Sequence, residues 1–374
     1  MIAHGGGPTA VLNASLAGAI EGSAGRFSAL FAARFGLGGL FADELTDLLR
    51  VPAGEVAAVG RTPGSAIGSS RKQFAEADYD RLLEALRKRD IRVVFYTGGN
   101  GSMQTALELD QAGRAAGYEL QVIGIPKTID NDLLVTHHTP GYASTGYFFA
   151  CAARDAGADC RSLPSPICIL ETLGRNAGWI VAATALGRQQ ADDPPHLIYF
   201  PERKLSLERI VTDVEAVYRR LGYCVVSICE GQLDENGTPF GAVVDRAGSA
   251  VHQLASNLGH TLAGRIAERT GLRARAEKPG LVGRSCGPFA RERDRREAFD
   301  CGFAAALAAA RGETGVMVAL DAEGRTFLTP LANVARRERL LPPEFISAEA
   351  NDVTEAFVGY ARPLVGEVDS YIRM

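Results

Sequence analysis

Ile91-Arg92-Val93-Val94-Phe95-Tyr96-Thr97-Gly98-Gly99-Asn100-Gly101-Ser102 and Gln121-Val122-Ile123-Gly124-Ile125-Pro126-Lys127-Thr128-Ile129-Asp130-Asn131-Asp132 are the two stretches that decide the fold. In the first, a β-branched and aromatic run ends in two glycines, a small polar residue, a third glycine and a serine, and a helical pattern continues to Ala115. A strand, a glycine turn and a helix N-terminus together aim bare backbone N–H groups at an anion, commonly a phosphate. The second stretch ends another strand in one cation and two carboxylates within six residues. A phosphate cradle beside a Lys/Asp/Asp cluster points to phosphoryl transfer, where positioning and charge neutralisation supply most of the catalysis.

Working outward, residues 75–90 read as an amphipathic helix, and strands are predicted at 167–172, 196–200, 223–229 and 315–320. Helices are predicted over 141–157, 180–190, 291–311 and 353–364, and around 250–269. A further helix runs from a Ser206 cap to a Gly222 stop. This alternation predicts an α/β protein with mostly parallel sheets. Ligands then bind at the C-terminal ends of strands. Gly98–Ser102, Pro126–Asp132, Leu173–Arg175 and Glu230 all take that position.

The chain has 374 residues, 46% hydrophobic and 22% charged, which suits two soluble domains with ample core. A net charge of −4 with interleaved signs offers no electrostatic case for nucleic acid. The seven cysteines form no CxxC pair and read as core thiols of a reducing compartment. No apolar run reaches the ~18 residues of a membrane span. Without a signal-peptide pattern, the expected location is cytoplasmic.

At Lys127–Asp132, Asp130 is read as the base that takes a proton from an attacking hydroxyl. Lys127 is the phosphoryl clamp, and Asp132 the partner of a Mg2+ that also holds donor oxygens. The plain alternative is a polar turn with a structural salt bridge. Gly5-Gly6-Gly7-Pro8-Thr9 before an apolar helix is a second phosphate-loop candidate, or else a flexible end, and the strand before it spans only about three residues. The glycine/serine loop 60–72 with Arg71 and Lys72 suits a phosphate or plain solvation.

Gly5-Gly6-Gly7-Pro8-Thr9-Ala10-Val11-Leu12-Asn13, Gly98-Gly99-Asn100-Gly101-Ser102, Pro126-Lys127-Thr128-Ile129-Asp130-Asn131-Asp132 and Leu173-Gly174-Arg175-Asn176-Ala177-Gly178-Trp179 resemble, in order and spacing, the phosphofructokinase family. The tail, with Asn351-Asp352-Val353-Thr354, is similar to its longer bacterial branch. The resemblance implies two Rossmann-like three-layer domains with the active site in the cleft between them. The donor domain is expected over 1–139 with about 285–312, and the sugar-phosphate domain over 140–284 with about 313–330. Residues 331–374 are expected as a helical extension packing on the body.

Carried over by position, Asp130 is the base for the 1-hydroxyl of fructose 6-phosphate, with Thr128 beside it. Gly6, Gly7, Arg71, Gly99, Asn100, Gly101 and Ser102 hold the donor, and Asn100 also assists the metal with Asp132. Leu173, Gly174 and Arg175 form the sugar-phosphate loop, with Arg175 a transition-state cation. Glu230 contacts the sugar hydroxyls, Leu281 lines the acceptor, and Arg275 and Arg284 take the 6-phosphate as bidentate donors. Arg275 would come from a neighbouring subunit of a homo-oligomer, a dimer or tetramer.

Departures bear on the substrates. Pyrophosphate users usually carry aspartate where Gly101 stands. Such a carboxylate would sit about 4 Å from an α-phosphate, costing about 4 kcal/mol at an effective dielectric of ~20. Gly101 therefore favours ATP over pyrophosphate as donor, whereas Lys127 is the pyrophosphate-type residue. On the acceptor side Gly283 replaces a usual glutamine, and Leu281 a polar or aromatic residue. The expected activity is ATP-favoured 6-phosphofructokinase of glycolysis. Two alternatives stay open: another sugar phosphate such as sedoheptulose 7-phosphate, or a non-catalytic paralogue that only binds nucleotide or sugar phosphate.

Overall fold

The computed structural model describes residues 1–42, 45–163, 166–240 and 257–372. Its strands are β1 (Ile2–His4), β2 (Phe31–Ala33), β3 (Leu45–Asp47), β4 (Val93–Gly98), β5 (Gln121–Pro126), β6 (Ile167–Thr172), β7 (Leu197–Tyr199), β8 (Cys224–Cys229), β9 (Ala274–Glu277), β10 (Val316–Leu320) and β11 (Thr326–Pro330). The chain divides into two compact units: Met1–Ser144 with Ser285–Arg339, and Thr145–Arg284 with Leu340–Met374.

The first unit carries a sheet in the order β11-β10-β5-β4-β1-β2-β3. Its inner pairings are parallel, and the edge strands β3 and β11 run antiparallel to their neighbours. The two decisive stretches pair along their length, from Val93 opposite Gln121 to Gly98 opposite Pro126. Both strands are buried on both faces, which is why they read as continuous apolar runs. Val94 and Tyr96 face a core built with the helices Glu76–Lys88 and Asn100–Ala115. Phe95 faces the opposite core, built with Leu12–Ser23 and Glu292–Ala310. Those last two helices cross at glycines: a Cβ on Gly18 or Gly302 would lie within 2.0 Å of a backbone oxygen of the other helix. The result is a three-layer α/β unit. β1 has only three residues, yet it lies between β2 and β4 and is fully buried.

The second unit holds a parallel four-stranded sheet, β7-β8-β6-β9. The helices Leu207–Leu221 and Leu258–Thr270 cover one face. Cys160, from the helix Tyr142–Ser162, packs with Cys168 and Val225. Ser206 accepts from Arg209 N, and Gly222 stops its helix in the left-handed conformation, as the spacing predicts.

Three expectations need correction. Residues 316–330 do not join the second domain: β10 pairs in parallel with β5 and completes the first sheet. Residues 331–374 are not one appendage, because 331–339 belong to the first unit and 340–374 to the second. There Trp179 packs against Phe345 and Tyr360, with ring centroids 5.9 and 5.3 Å apart. The helix predicted over 180–190 is only Trp179–Ala183 followed by one tighter turn, since Gly187 presses close to the Ala150 carbonyl. Of the helix predicted around 250–269, Leu258–Thr270 is present and 250–256 lie outside the described residues. Among the described residues, no helix is long and apolar enough to cross a membrane.

Candidate active site

Three strand ends of the first sheet converge on one set of groups. β1 runs into Gly5-Gly6-Gly7, where Gly5 N donates to Thr97 O at 2.8 Å and Gly6 N to Ser70 O at 2.8 Å. Gly6 has φ +79°, which only glycine adopts without strain. The side chain of Lys127 is buried beneath this loop and donates to Gly5 O at 2.6 Å and Gly7 O at 2.7 Å. The lysine thus cross-links the end of β5 to the glycine loop after β1. Ser70 ties the loop on its other side, and Arg71, the next residue, extends an exposed side chain.

β4 ends at Gly98. Gly99 caps the helix Asn100–Ala115, accepting from Ser102 N and Met103 N at 2.9 and 3.0 Å. N–H groups at such a helix start have no partner within the helix and suit an oxyanion. A Cβ on Gly101 would meet nothing within 4 Å, so no packing demand places glycine there.

After Lys127 the chain turns at Asn131, in the left-handed region at φ +53°, a conformation Asn tolerates better than most residues. The turn is pinned from several sides. Asn131 Oδ1 accepts from Thr139 N at 3.0 Å, and Thr128 Oγ1 accepts from Asp130 N at 3.1 Å. Arg339 grasps the whole loop, donating to Asn131 O at 2.7 and 3.1 Å, Thr136 O at 2.9 Å and His137 O at 2.8 Å. Its backbone N also donates to Asp132 O at 2.7 Å. Sequence reasoning missed Arg339; nothing in 336–340 marks that arginine apart from its charged neighbours.

Burial, then the negative charges of Asp130 and Glu338, push the Asp132 carboxyl up to about 7. Asn100 Nδ2 donates to Asp132 Oδ2 at 2.7 Å, while Asn100 Oδ1 and Asp132 Oδ1 are buried without a hydrogen-bond partner. Two orphaned oxygens beside a second carboxylate fit a hard, oxygen-seeking cation. Among the described residues no group of three or more His, Cys, Asp or Glu side chains could hold a metal by itself. That donor set suits Mg2+, which commonly takes one or two carboxylates and completes its shell with phosphate oxygens and water.

His4, at the end of β1, is fully buried with Nδ1 2.8 Å from Ser65 Oγ. Burial, then the Lys127 charge, lower its pKa to about 3. Between about pH 3 and 6.5 the unfolded chain therefore binds a proton that the folded chain refuses. Stability present above pH 6.5 is lost as pH falls, by at most about 1.4 kcal/mol per pH unit. In urea titrations at pH 7 and pH 5, His4→Asn is expected to lose about 2 kcal/mol less than the parent over that interval. Equal losses would remove His4 as the cause.

In the second unit, the end of β6 gives Leu173-Gly174-Arg175 and the end of β8 gives Glu230-Gly231. The Glu230 carboxylate accepts from Gly174 N, so these two predicted elements do meet. Burial raises the Glu230 pKa against the opposing pull of Lys278. Gly231 is required by close approach, since a Cβ there would lie 1.5 Å from Arg175 O. The Arg175 side chain is exposed. Beneath them Glu171, nearly fully buried, pairs with Lys278 and accepts from Gly259 N at 2.8 Å. Lys278 was not singled out from sequence, where it is one cation in a polar loop.

Arg275 and Arg284 are placed differently. Arg275 lies on the edge strand β9, about 42% exposed and 3.9 Å from Asp159. Arg284 ends the short helix Leu281–Arg284, in which Leu281 is 66% exposed. Gly283 is no simple loss of a polar contact. A Cβ there would lie 2.9 Å from the rings of Phe148 and Phe149. Gly283→Ala is expected to lower stability by about 1–3 kcal/mol through overpacking; an unchanged midpoint in denaturant would show that the rings yield freely.

The family profile described as Phosphofructokinase matches residues 1–309. A pyrophosphate–fructose 6-phosphate 1-phosphotransferase of Rhodospirillum rubrum is 36% identical, over 98% of this chain and 94% of that one. A sulfofructose kinase of Alkalicoccus urumqiensis is 32% identical, over 92% and 91%. The crystal structure of a pyrophosphate-dependent phosphofructokinase from Marinobacter aquaeolei superposes with a TM-score of 0.87 at 31% identity, covering 100% of this chain and 92% of that one. These relatives overturn the ATP preference expected from Gly101, since both phosphofructokinases are named for pyrophosphate. The physical reason is that an absent carboxylate permits a nucleotide without selecting it.

Proposed function

We propose, from the premise that this chain belongs to the phosphofructokinase family, that it transfers a phosphoryl group from pyrophosphate to the 1-hydroxyl of fructose 6-phosphate. The product is fructose 1,6-bisphosphate, an intermediate of glycolysis. The observation that carries the reading is the pinned turn Lys127–Asp132, which sets a candidate base beside a buried carboxylate and a lysine-locked phosphate loop.

In this reading Asp130 accepts the proton of the acceptor hydroxyl as its oxygen attacks phosphorus. Lys127 shapes the glycine loop and adds positive charge beneath it; the loop at Gly6 and Gly7, the helix start at Gly99–Ser102 and Arg71 surround the donor oxygens, with the Asn100 and Gly101 N–H groups, which have no partner within the helix, donating to them. Asp132 and Asn100 would hold Mg2+, which when bound neutralises donor charge. Thr128 keeps Asp130 in place through its backbone N–H. In the second unit, Leu173, Gly174 and Glu230 orient the sugar, Arg175 offsets charge on the phosphoryl in flight, and Arg284 takes the 6-phosphate. Arg275 is assigned to the 6-phosphate of a second copy of the chain, a role consistent with its partly exposed position on the edge strand β9.

A coupled assay with fructose 6-phosphate, offering pyrophosphate and ATP separately, tests this. Fructose 1,6-bisphosphate should form, and faster with pyrophosphate. No product with either donor, or product with ATP alone, would sink the proposal.

A second reading keeps the chemistry and changes the acceptor. It is favoured by the segment 281–283, which offers no polar side chain, and by the sulfofructose kinase among the relatives. Fructose 6-phosphate clearly fastest in a panel with sedoheptulose 7-phosphate and sulfofructose would dispose of it. Product formation that depends on Asp130 would likewise remove the non-catalytic alternative.

A further inference from the structure

Lys278 follows the edge strand β9, yet the fold sets it beside the sugar-phosphate loop. In the second sheet β8, β6 and β9 are neighbours and run parallel, so their C-terminal ends lie side by side. β8 ends just before Glu230, β6 carries Glu171 one residue from its end and leads into Leu173–Arg175, and β9 ends just before Lys278. The C-terminal ends of parallel strands are where such sheets bind ligands.

A buried partner holds the lysine in place. The Glu171 side chain is 1% exposed, with Oε1 2.5 Å from Lys278 Nζ and Oε2 accepting from Gly259 N at 2.8 Å. Stripping a buried carboxylate of its counter-ion is strongly destabilising, so Glu171 anchors the ammonium. The Lys278 side chain itself stays 30% exposed, at the surface of the site and not sealed in the core.

Charge decides what the anchored lysine does. Burial raises the pKa of Glu230; after burial the Lys278 charge, which lowers it, acts most, followed by Glu171, which raises it, and Arg175, which lowers it. Arg175 is exposed and screened by water, whereas Lys278 is fixed by its buried partner. Without the lysine, Glu230 would hold its proton to higher pH. A protonated carboxyl turns one oxygen into a donor and loses accepting capacity, and hydrogen bonds to a charged acceptor are the stronger ones. Gly174 N takes only part of the capacity that the Glu230 carboxylate offers.

We propose that Lys278 is a positioning residue for the sugar acceptor, anchored on Glu171 and acting through Glu230, which it holds as a carboxylate ready to accept from a sugar hydroxyl. The proposal rests on the reading of Glu230 as a sugar contact.

Two measurements on the full chain test this, with K278Q, which keeps an amide donor for Glu171, and K278R, which keeps the charge. Carbon-13 spectra of chain labelled at the glutamate carboxyls, with the Glu230 signal assigned by its loss in E230Q, follow its titration without substrate. The Glu230 midpoint should rise by about one pH unit in K278Q and stay near the parent's in K278R. Calorimetry with fructose 6-phosphate should show affinity at pH 6 falling severalfold in K278Q, by up to about tenfold for a shift of one unit. The loss should be smaller at pH 8, and K278R should restore parental binding at both. A purely structural ion pair would lower the thermal midpoint of K278Q without moving the Glu230 titration, and that result would overturn the proposal. So would a moved titration with unchanged affinity at pH 6, an equal loss of affinity at pH 6 and pH 8, or a parent that does not bind fructose 6-phosphate. Should K278Q fail to fold, K278M is measured in its place against the same outcomes. A parent that binds fructose 6-phosphate but forms no product with either donor would sink the proposed phosphoryl transfer and leave the role of Lys278 standing.

Discussion

Asp130→Ala is expected to lower kcat by about 10²–10⁴-fold, the range that a positioned general base contributes, while KM for fructose 6-phosphate changes little. The split follows from where the carboxylate sits. Asp130 stands on a turn that holds its own shape: its backbone N–H is tied to Thr128 Oγ1, and Arg339 and Thr139 hold the next residue. Removing the side chain should therefore leave the loop in place. The sugar-phosphate contacts assigned to this chain, Gly174, Glu230 and Arg284 among them, belong to another compact unit and should keep their geometry. Steady-state kinetics with pyrophosphate and fructose 6-phosphate checks this. Turnover within tenfold of the parent would remove Asp130 as the base, whereas a rise in KM at constant kcat would make it a binding residue. Asp130→Asn separates charge from shape, and it should be about as impaired as the alanine variant if proton acceptance is the role.

Lys127→Met is expected to lower both activity and stability, because the ammonium serves two ends. Its donors engage Gly5 O and Gly7 O, so methionine leaves two carbonyls of the phosphate loop without that partner. A hydrogen bond to a charged group contributes about 1.5–3 kcal/mol, partly offset by the desolvation that a buried ammonium no longer suffers. A net loss of about 2 kcal/mol is expected, read as a lower midpoint in urea. Loss of a preorganised cation near the moving phosphoryl should lower kcat by about 10²–10³-fold. His4 supplies an independent readout. The Lys127 charge is the second cause of its depressed pKa, so the pH below which the His4-dependent loss levels off should rise in the methionine variant. A variant of parental stability and activity within threefold would refute both roles of the lysine.

Much of the first unit was legible in the chain because its signals are local. The β-branched run 93–98, the glycines that end it and the helix after Asn100 are set by backbone preference and side-chain period, and β4 and the helix Asn100–Ala115 fall where those predict. Ser206 and Gly222 bound their helix for the same reason. The Lys127–Asp132 cluster was also visible, since a cation and two carboxylates at a strand end are adjacent in sequence. The donor was not readable: the inference leaned on a missing side chain at Gly101, and an absence restrains a ligand less than a contact does.

By itself, then, the sequence determined the α/β alternation, the family and the residue types of the candidate reaction, all written within windows of about a dozen residues. Only tertiary structure decided that Arg339 holds Asn131 across 208 positions, that Lys278 pairs with Glu171, and that β10 completes the first sheet. It also decided that Gly283 is held by two phenylalanine rings, where the chain alone suggested only a missing contact. Such contacts join segments whose separation carries no period and no propensity. They exist because burial brings donors, acceptors and rings together once the sheets have formed, and no local rule encodes which distant partner arrives.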